Sequence, residues 1–132
     1  MKLIHKTFQT EKQGMYDITF DVEAAILDAN IGDGIVVIFT PHTTCAITIN
    51  ENADPAVMHD VVLGLARISP NRSLFKHDEG NSDAHIKSSI VGANETIIIE
   101  NGKLVLGQWQ GIYLLEFDGP RLRNYYIKII EG

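Results

Sequence analysis

The longest uninterrupted apolar run in this 132-residue chain is Ile35 to Phe39, five residues. A membrane-spanning helix needs about 20, so no segment of the chain is expected to cross a bilayer as a helix. Apolar residues still make up 45 % of the chain and charged residues 21 %. Those are globular proportions, too apolar for a disordered chain. Many short apolar pieces must therefore be pleated together into one core, and the length suits a single domain over residues 1–132.

The pattern predicts mostly short strands. Leu3 to Gln9 and Tyr16 to Phe20 alternate on either side of Lys12-Gln13-Gly14, which reads as a hairpin loop. Asp21 reads as an N-cap for a helix over Val22 to Leu27, closed by Asn30 and Gly32. Gly34 to Thr40 is rich in β-branched residues and is expected to be a strand buried on both faces, broken by Pro41. Cys45 to Asn50 alternates, with Ile47 and Ile49 on one face. Asp54-Pro55 is a strong helix start, followed by the stripe Val57, Val61, Leu65 and Ile68. Residues 71–83 form a long polar loop, and His85 to Val91 fits either a helix or a strand. Asn101-Gly102 predicts a tight hairpin between Thr96–Glu100 and Lys103–Leu106. A second hairpin is expected across Asp118-Gly119-Pro120, joining Ile112–Phe117 to Leu122–Ile130. The fold class that follows is α+β: a mixed β-sheet folded into a sandwich, with two or three helices.

Seventeen acidic against eleven basic residues give a formal charge of −6 and a pI near 5.2. That balance argues against a nucleic-acid partner and against docking on anionic membranes. A small phosphorylated molecule stays compatible with it, given local cations or a metal. The single cysteine, Cys45, has no partner for an intrachain disulfide. With no signal-peptide pattern, this leads us to expect a cytoplasmic protein.

Residues with ligand or acid–base chemistry gather in a few segments. His42-Thr43-Thr44 follows Pro41, Asn50-Glu51-Asn52 closes the next strand, Asp60 lies on the Pro55 helix, and the long loop carries His77 through His85. Neutral imidazole is a common ligand of zinc-like ions. His42, His77 and His85 are thus candidate metal ligands, although their spacing matches no stock zinc signature and ordinary loop histidines have the same look. Asp60 sits at the edge of the apolar stripe, either as a surface carboxylate or as support for a ligating histidine. The N–H groups and hydroxyls of Thr43 and Thr44 offer an anion cradle. Cys45 is more simply a small buried hydrophobe than a nucleophile. Gln110, after the only tryptophan, is a candidate hydrogen-bonding group, and His5 and His59 read as solvent residues.

Three segments together carry a family resemblance. They are His42-Thr43-Thr44 through Asn50-Glu51-Asn52-Ala53-Asp54-Pro55, Glu79-Gly80-Asn81-Ser82-Asp83-Ala84-His85-Ile86, and Gly102-Lys103-Leu104 through Gly107-Gln108-Trp109-Gln110-Gly111-Ile112-Tyr113. In this order they resemble the YjbQ-like family from about Phe8 to the C-terminal strand. Gln108 departs from the family's usual Thr and Ser82 from its usual Ala; neither is a candidate ligand. The resemblance implies an α+β domain that assembles as a homotrimer. It implies a polar cleft gathering His42, His77 and His85, with Glu51, Asp60 and Asn81 nearby. It further implies a secondary thiamine-phosphate synthase activity, coupling a pyrimidine pyrophosphate to a thiazole phosphate. On that reading a divalent metal, zinc-like or magnesium, is held by the three histidines. Glu51, Asp60 and Asp83 are the acid–base candidates, and Thr43, Thr44, Asn50, Asn81 and Gln110 contact substrate. A metal-dependent hydrolase and a non-catalytic ligand-binding trimer are the competing expectations.

Overall fold

The computed structural model describes residues 3–132. The elements in chain order are β1 (Leu3–Gln9), β2 (Gly14–Asp17), α1 (Thr19–Ala29), β3 (Gly34–Phe39), β4 (Cys45–Glu51), α2 (Pro55–Ile68), α3 (Ser82–Val91), β5 (Asn94–Glu100), β6 (Lys103–Leu104), β7 (Gln110–Glu116) and β8 (Leu122–Glu131). They form a five-stranded sheet, β1-β8-β3-β5-β6, and a three-stranded sheet, β2-β7-β4. The α+β sandwich with three helices is as expected, but every pairing is antiparallel rather than mixed. The reason is topological. Each helical connection (β2–α1–β3 and β4–α2–α3–β5) leaves one sheet and enters the other. No strand–helix–strand unit returns to its own sheet to create a parallel pair.

Alternation along the strands builds two apolar layers. Val36, Ile38, Ile97, Ile99, Tyr125, Ile127 and Ile129 of the large sheet meet Cys45, Ile47, Ile112 and Leu114 of the small one, and α1 adds Val22, Ala25 and Ile26. The other face of the small sheet, through Ala46, Tyr113, Leu115 and Phe117, packs on Ala84 of α3 and on Met58, Val61 and Leu65 of α2. The strand buried on both faces is therefore β7, not β3. In β3 only Val36 and Ile38 face the core, while Ile35 and Phe39 are exposed on the outer face of the large sheet. None of the fourteen residues of α2 is buried.

Two predicted hairpins are instead corners. β1 pairs with β8 and β2 with β7, so residues 10–13 carry the chain from one sheet to the other. Residues 117–121 do the same between β7 and β8. The corners lock onto each other through Thr10. Its N–H donates to the Arg121 carbonyl (2.9 Å), and its hydroxyl donates to Glu116 Oε1 (2.7 Å) and accepts from the Arg121 N–H (3.0 Å). The Asn101-Gly102 hairpin forms as expected, with positive φ at both residues. Tyr16 ends up in β2, but α1 already begins at Thr19. Asp17, not Asp21, accepts from the Thr19 N–H (2.9 Å), and Asp21 instead accepts from the Tyr125 hydroxyl (2.7 Å). At the other end of α1, Asn30 closes the helix in the left-handed conformation.

Gly34 supplies a test of this packing. A Cβ there would lie 2.2 Å from the Ile130 carbonyl oxygen of the neighbouring strand, and that oxygen is backbone, so it cannot swing aside. Gly34→Ala is expected to lower unfolding stability by about 2–4 kcal/mol, read from a urea midpoint. An unchanged midpoint would contradict the β3–β8 register.

Candidate functional site

The site is built where β3 ends and β4 begins. β3 ends at Phe39 and Pro41 has no N–H to offer, so the Thr40 and His42 side chains take the Asn124 carbonyl and N–H that run past the end of β3. Thr40 Oγ1 donates to the Asn124 carbonyl (3.0 Å), and His42 Nε2 accepts from the Asn124 N–H (2.9 Å). The next turn, Thr43-Thr44, is held from below. Arg123 Nη2 donates to Thr44 Oγ1 (2.8 Å) and to the Thr44 carbonyl (3.1 Å). Arg123 is buried and paired with the fully buried Glu116, Nε to Oε1 at 2.7 Å and Nη2 to Oε2. Among the described residues the backbone N–H groups of Thr43 and Thr44 have no acceptor.

The opposite wall comes from the long loop and the start of α3. His77 and His85 meet edge to face, with ring centroids 5.2 Å apart. Asn81, the residue that starts α3, donates through Nδ2 to Asp118 Oδ2 (2.6 Å). Asp118 is also paired with Arg121 (2.8 Å). Asn81 Oδ1 is buried and has no hydrogen-bond partner among the described residues. Together these walls enclose an open cleft of about 310 Å³ lined by His42, Thr43, Thr44, His77, Glu79, Asn81, His85, Arg121 and Arg123.

Electrostatics follow from burial and the two arginines. Burial, then the positive charge of Arg123, hold His42 below its ordinary pKa, so it is neutral at pH 7. Burial alone would raise Glu116. The hydrogen bonds from Arg123, Thr10 and the Asp118 N–H outweigh it and hold the carboxyl below its ordinary range. Asp118 is lowered in the same way, burial being outweighed by Asn81 and Arg121. Burial raises the Cys45 thiol, which lies 3.2 Å from Thr40 Oγ1 in the core. That is the environment of an inert packing residue rather than a nucleophile.

The cleft thus gathers His42, His77, His85, Thr43, Thr44 and Asn81, but not the other anticipated residues. Asn50, Glu51 and Gln110 line a separate cleft with Ile49 and Trp109 at the far end of β4. Seven residues of strand separate the two ends, roughly 20 Å at 3.3 Å per residue. Gln110 Oε1 is engaged by the Gly107 N–H (2.7 Å). Asp60 is exposed on α2 and pairs with its neighbour His59 (2.9 Å), so it supports none of the three cleft histidines. Asp83 faces Lys87 on its own helix (3.9 Å) rather than the cleft. Within one chain, then, none of the three acid–base candidates reaches the histidines. Glu79, Arg121 and Arg123 do line the cleft, and sequence reasoning missed them.

A metal triad of the three histidines also fails a geometric test. A neutral imidazole has one ring lone pair, and on His42 it already accepts the Asn124 N–H. Among the described residues no three His, Cys, Asp or Glu side chains are grouped to hold a metal ion. The donors that fit an ion better are His77, His85 and the orphaned Asn81 Oδ1.

Known proteins resemble this chain throughout. The pattern of the family described as UPF0047 protein YjbQ-like matches residues 4–132. A UPF0047 protein of Methanocaldococcus jannaschii is 55 % identical over 120 residues, covering 91 % of this chain and 87 % of the relative. The UPF0047 protein YugU of Bacillus subtilis is 50 % identical over 129 residues, covering 95 % and 98 %. A crystal structure of an uncharacterized YjbQ/UPF0047 family protein from Clostridium acetobutylicum superposes with a TM-score of 0.93 at 51 % identity, covering 96 % of this chain and 99 % of that one. A YbjQ-like protein of unknown function from Sulfolobus solfataricus gives 0.94 at 32 % identity, covering 99 % and 97 %.

The buried carboxylate under the cleft predicts a pH signature. Its folded pKa lies below the ordinary 4.5, so its stabilisation is present above that pH and is lost as pH falls through the folded value. Urea midpoints measured from pH 6 down to pH 3 are expected to fall more steeply for the wild type than for Glu116→Gln. Parallel profiles would show that the pair contributes no pH dependence.

Proposed function

The chain belongs to the YjbQ-like UPF0047 family, and we propose that it is an enzyme acting on a small phosphorylated substrate bound in the histidine–arginine cleft. The observation that carries this reading is a cluster of hydrogen-bond donors. Both arginines are ion-paired, Arg123 with Glu116 and Arg121 with Asp118, yet Arg121, three histidines and the N–H groups of Thr43 and Thr44, unpaired among the described residues, gather around one cleft. Such donors suit phosphate oxygens, and Arg121, half-exposed at the rim, is placed to meet them first. The reaction proposed is the one the family resemblance implies: joining a pyrimidine pyrophosphate to a thiazole phosphate with release of pyrophosphate. His77 and His85 are the side chains available to move protons or to bind an ion there. A divalent ion is proposed at His77, His85 and Asn81 Oδ1; when bound it would offset charge on phosphate oxygens. Two imidazoles favour a zinc-like ion over magnesium.

A non-catalytic reading has one observation in its favour. Glu51, Asp60 and Asp83 all lie outside the cleft, which leaves Glu79 as the one lining carboxylate among the described residues. Turnover decides between them. Purified protein is expected to release pyrophosphate from the two substrates, and His77→Ala or Arg121→Ala is expected to lower the rate at least tenfold while the fold is kept. Rates unaffected by both changes would remove the reaction from this cleft. Binding of pyrophosphate without any turnover would favour the non-catalytic reading.

A homotrimer is proposed on the outer face of the large sheet. Ile35 sits between Ile98 and Ile130 in register, and all three are exposed, with Phe39 close by on the same strand. A contiguous apolar row on an open sheet face is a surface that association covers. Ile98→Asp is expected to convert the assembly to monomers in light scattering; a mass unchanged by the substitution would place the interface elsewhere. No helix among the described residues is long and apolar enough to cross a membrane, and a cytoplasmic setting is proposed from the single reduced, buried Cys45.

A further inference from the structure

We infer that His42 is a fixed hydrogen-bond donor to an anionic oxygen of the bound substrate, through Nδ1–H, and is not a ligand of any metal in the cleft. The inference rests on the phosphate reading of the cleft, but its geometric ground is separate. β3 stops at Phe39, while its neighbour β8 runs on past Asn124. The Asn124 N–H is therefore a ladder donor without a strand carbonyl opposite it, and such a donor must find a partner. The His42 ring stands in for that carbonyl, with Nε2 2.9 Å from the Asn124 nitrogen. The Thr40 hydroxyl fills the matching role at the Asn124 carbonyl. The end of the strand is thus closed by the side chains of Thr40 and His42.

This closure settles the chemistry of the ring. An imidazole nitrogen that accepts a backbone N–H carries no proton, so in the neutral ring the proton sits on Nδ1. The Asn124 side-chain amide, 3.4 Å from the same Nε2, adds a donor on the same side and none on the other. Among the described residues Nδ1 has no partner, and His42 lines the cleft. Burial and the neighbouring Arg123 both disfavour a second proton, so the ring presents a single N–H. A metal at Nδ1 would have to displace that proton and leave an imidazolate. A metal at Nε2 would orphan the Asn124 amide. A phosphate oxygen at Nδ1 needs neither change. His42 then belongs with Thr43 and Thr44 as one run of donors, opposite His77 and His85, whose ring nitrogens have no such constraint.

The test uses the full chain, labelled with ¹⁵N-histidine and stripped of metal by a chelator. Long-range ¹H–¹⁵N spectra are expected to show His42 as the Nδ1–H tautomer. Zinc added alone is expected to shift His77 and His85 and leave His42 in place, and pyrophosphate is expected to shift His42 Nδ1. An Nε2–H tautomer, or a zinc-induced shift of His42 matching those of His77 and His85, would overturn the inference. Pyrophosphate shifts at His77 and His85 without one at His42 would overturn it while sparing the phosphate reading. No pyrophosphate shift anywhere in the cleft would overturn both. Binding measurements on variants give a second readout. His42→Asn keeps a side-chain N–H near the Nδ1 position and is expected to hold pyrophosphate within about threefold of the wild type, whereas His42→Ala is expected to weaken it about tenfold. Equal losses in two folded variants would count against a donor role.

Discussion

The buried pair of Glu116 and Arg123 is the interaction on which both the fold and the cleft rest. Glu116 ends β7 and Arg123 lies near the start of β8, so their contact spans the corner where the chain changes sheets. Thr10, from the other corner, donates to the same carboxylate. The same Nη2 that meets Glu116 also holds Thr44 by its hydroxyl and its carbonyl. One ion pair therefore joins the two sheet-to-sheet corners to the loop that carries His42, Thr43 and Thr44. Burying two charges is costly unless every remaining polar atom is satisfied. Here both Glu116 oxygens and the inward guanidinium nitrogens have partners. Removing either charge alone would leave the other stranded in the core.

Much of the architecture could be read from residue pattern, for reasons that can be named. β1 and the Asn101-Gly102 hairpin follow from alternation and from a dipeptide that accepts positive φ at both positions. α2 follows from Asp54-Pro55, and Asp54 does cap it, accepting from the Ala56 N–H at 2.9 Å. The corners were misread because Lys12-Gln13-Gly14 and Asp118-Gly119-Pro120 announce a change of direction without saying which sheet the chain enters next. The burial of β3 was overestimated for a related reason. A run of β-branched residues shows strand preference, but whether a second layer covers its outer face is a property of the assembly, not of the run.

In the site, the histidines, Thr43, Thr44 and Asn81 were legible because their chemistry is unusual in a loop. Arg123 and Glu116 are not, since they lie in segments that read as ordinary strand, and Arg121 falls in the connection between those strands. A usable signal was nonetheless present. Arg123 falls in phase with Tyr125, Ile127 and Ile129, and Glu116 in phase with Ile112 and Leu114, all of them core residues. A charge that keeps step with a buried face must find an opposite charge inside. Two such charges flanking one turn point to each other. Asp60, by contrast, is placed by helical spacing at the edge of an apolar stripe, and that spacing cannot say that the helix rests on its sheet without a single buried residue.

That loosely seated helix has a kinetic meaning. Elements with little buried surface open locally at a free energy well below that of global unfolding. α2 is such an element, and the segment bearing His77 leaves directly from its C-terminal end. The other wall, with His42 and Thr44, is tied to the two corners and to the end of a central strand. The cleft accordingly has a stiff wall and a compliant one. Amide exchange would be fast along α2 and slow at Thr10, Glu116 and Tyr125, and a molecule entering the cleft would meet its resistance on one side only.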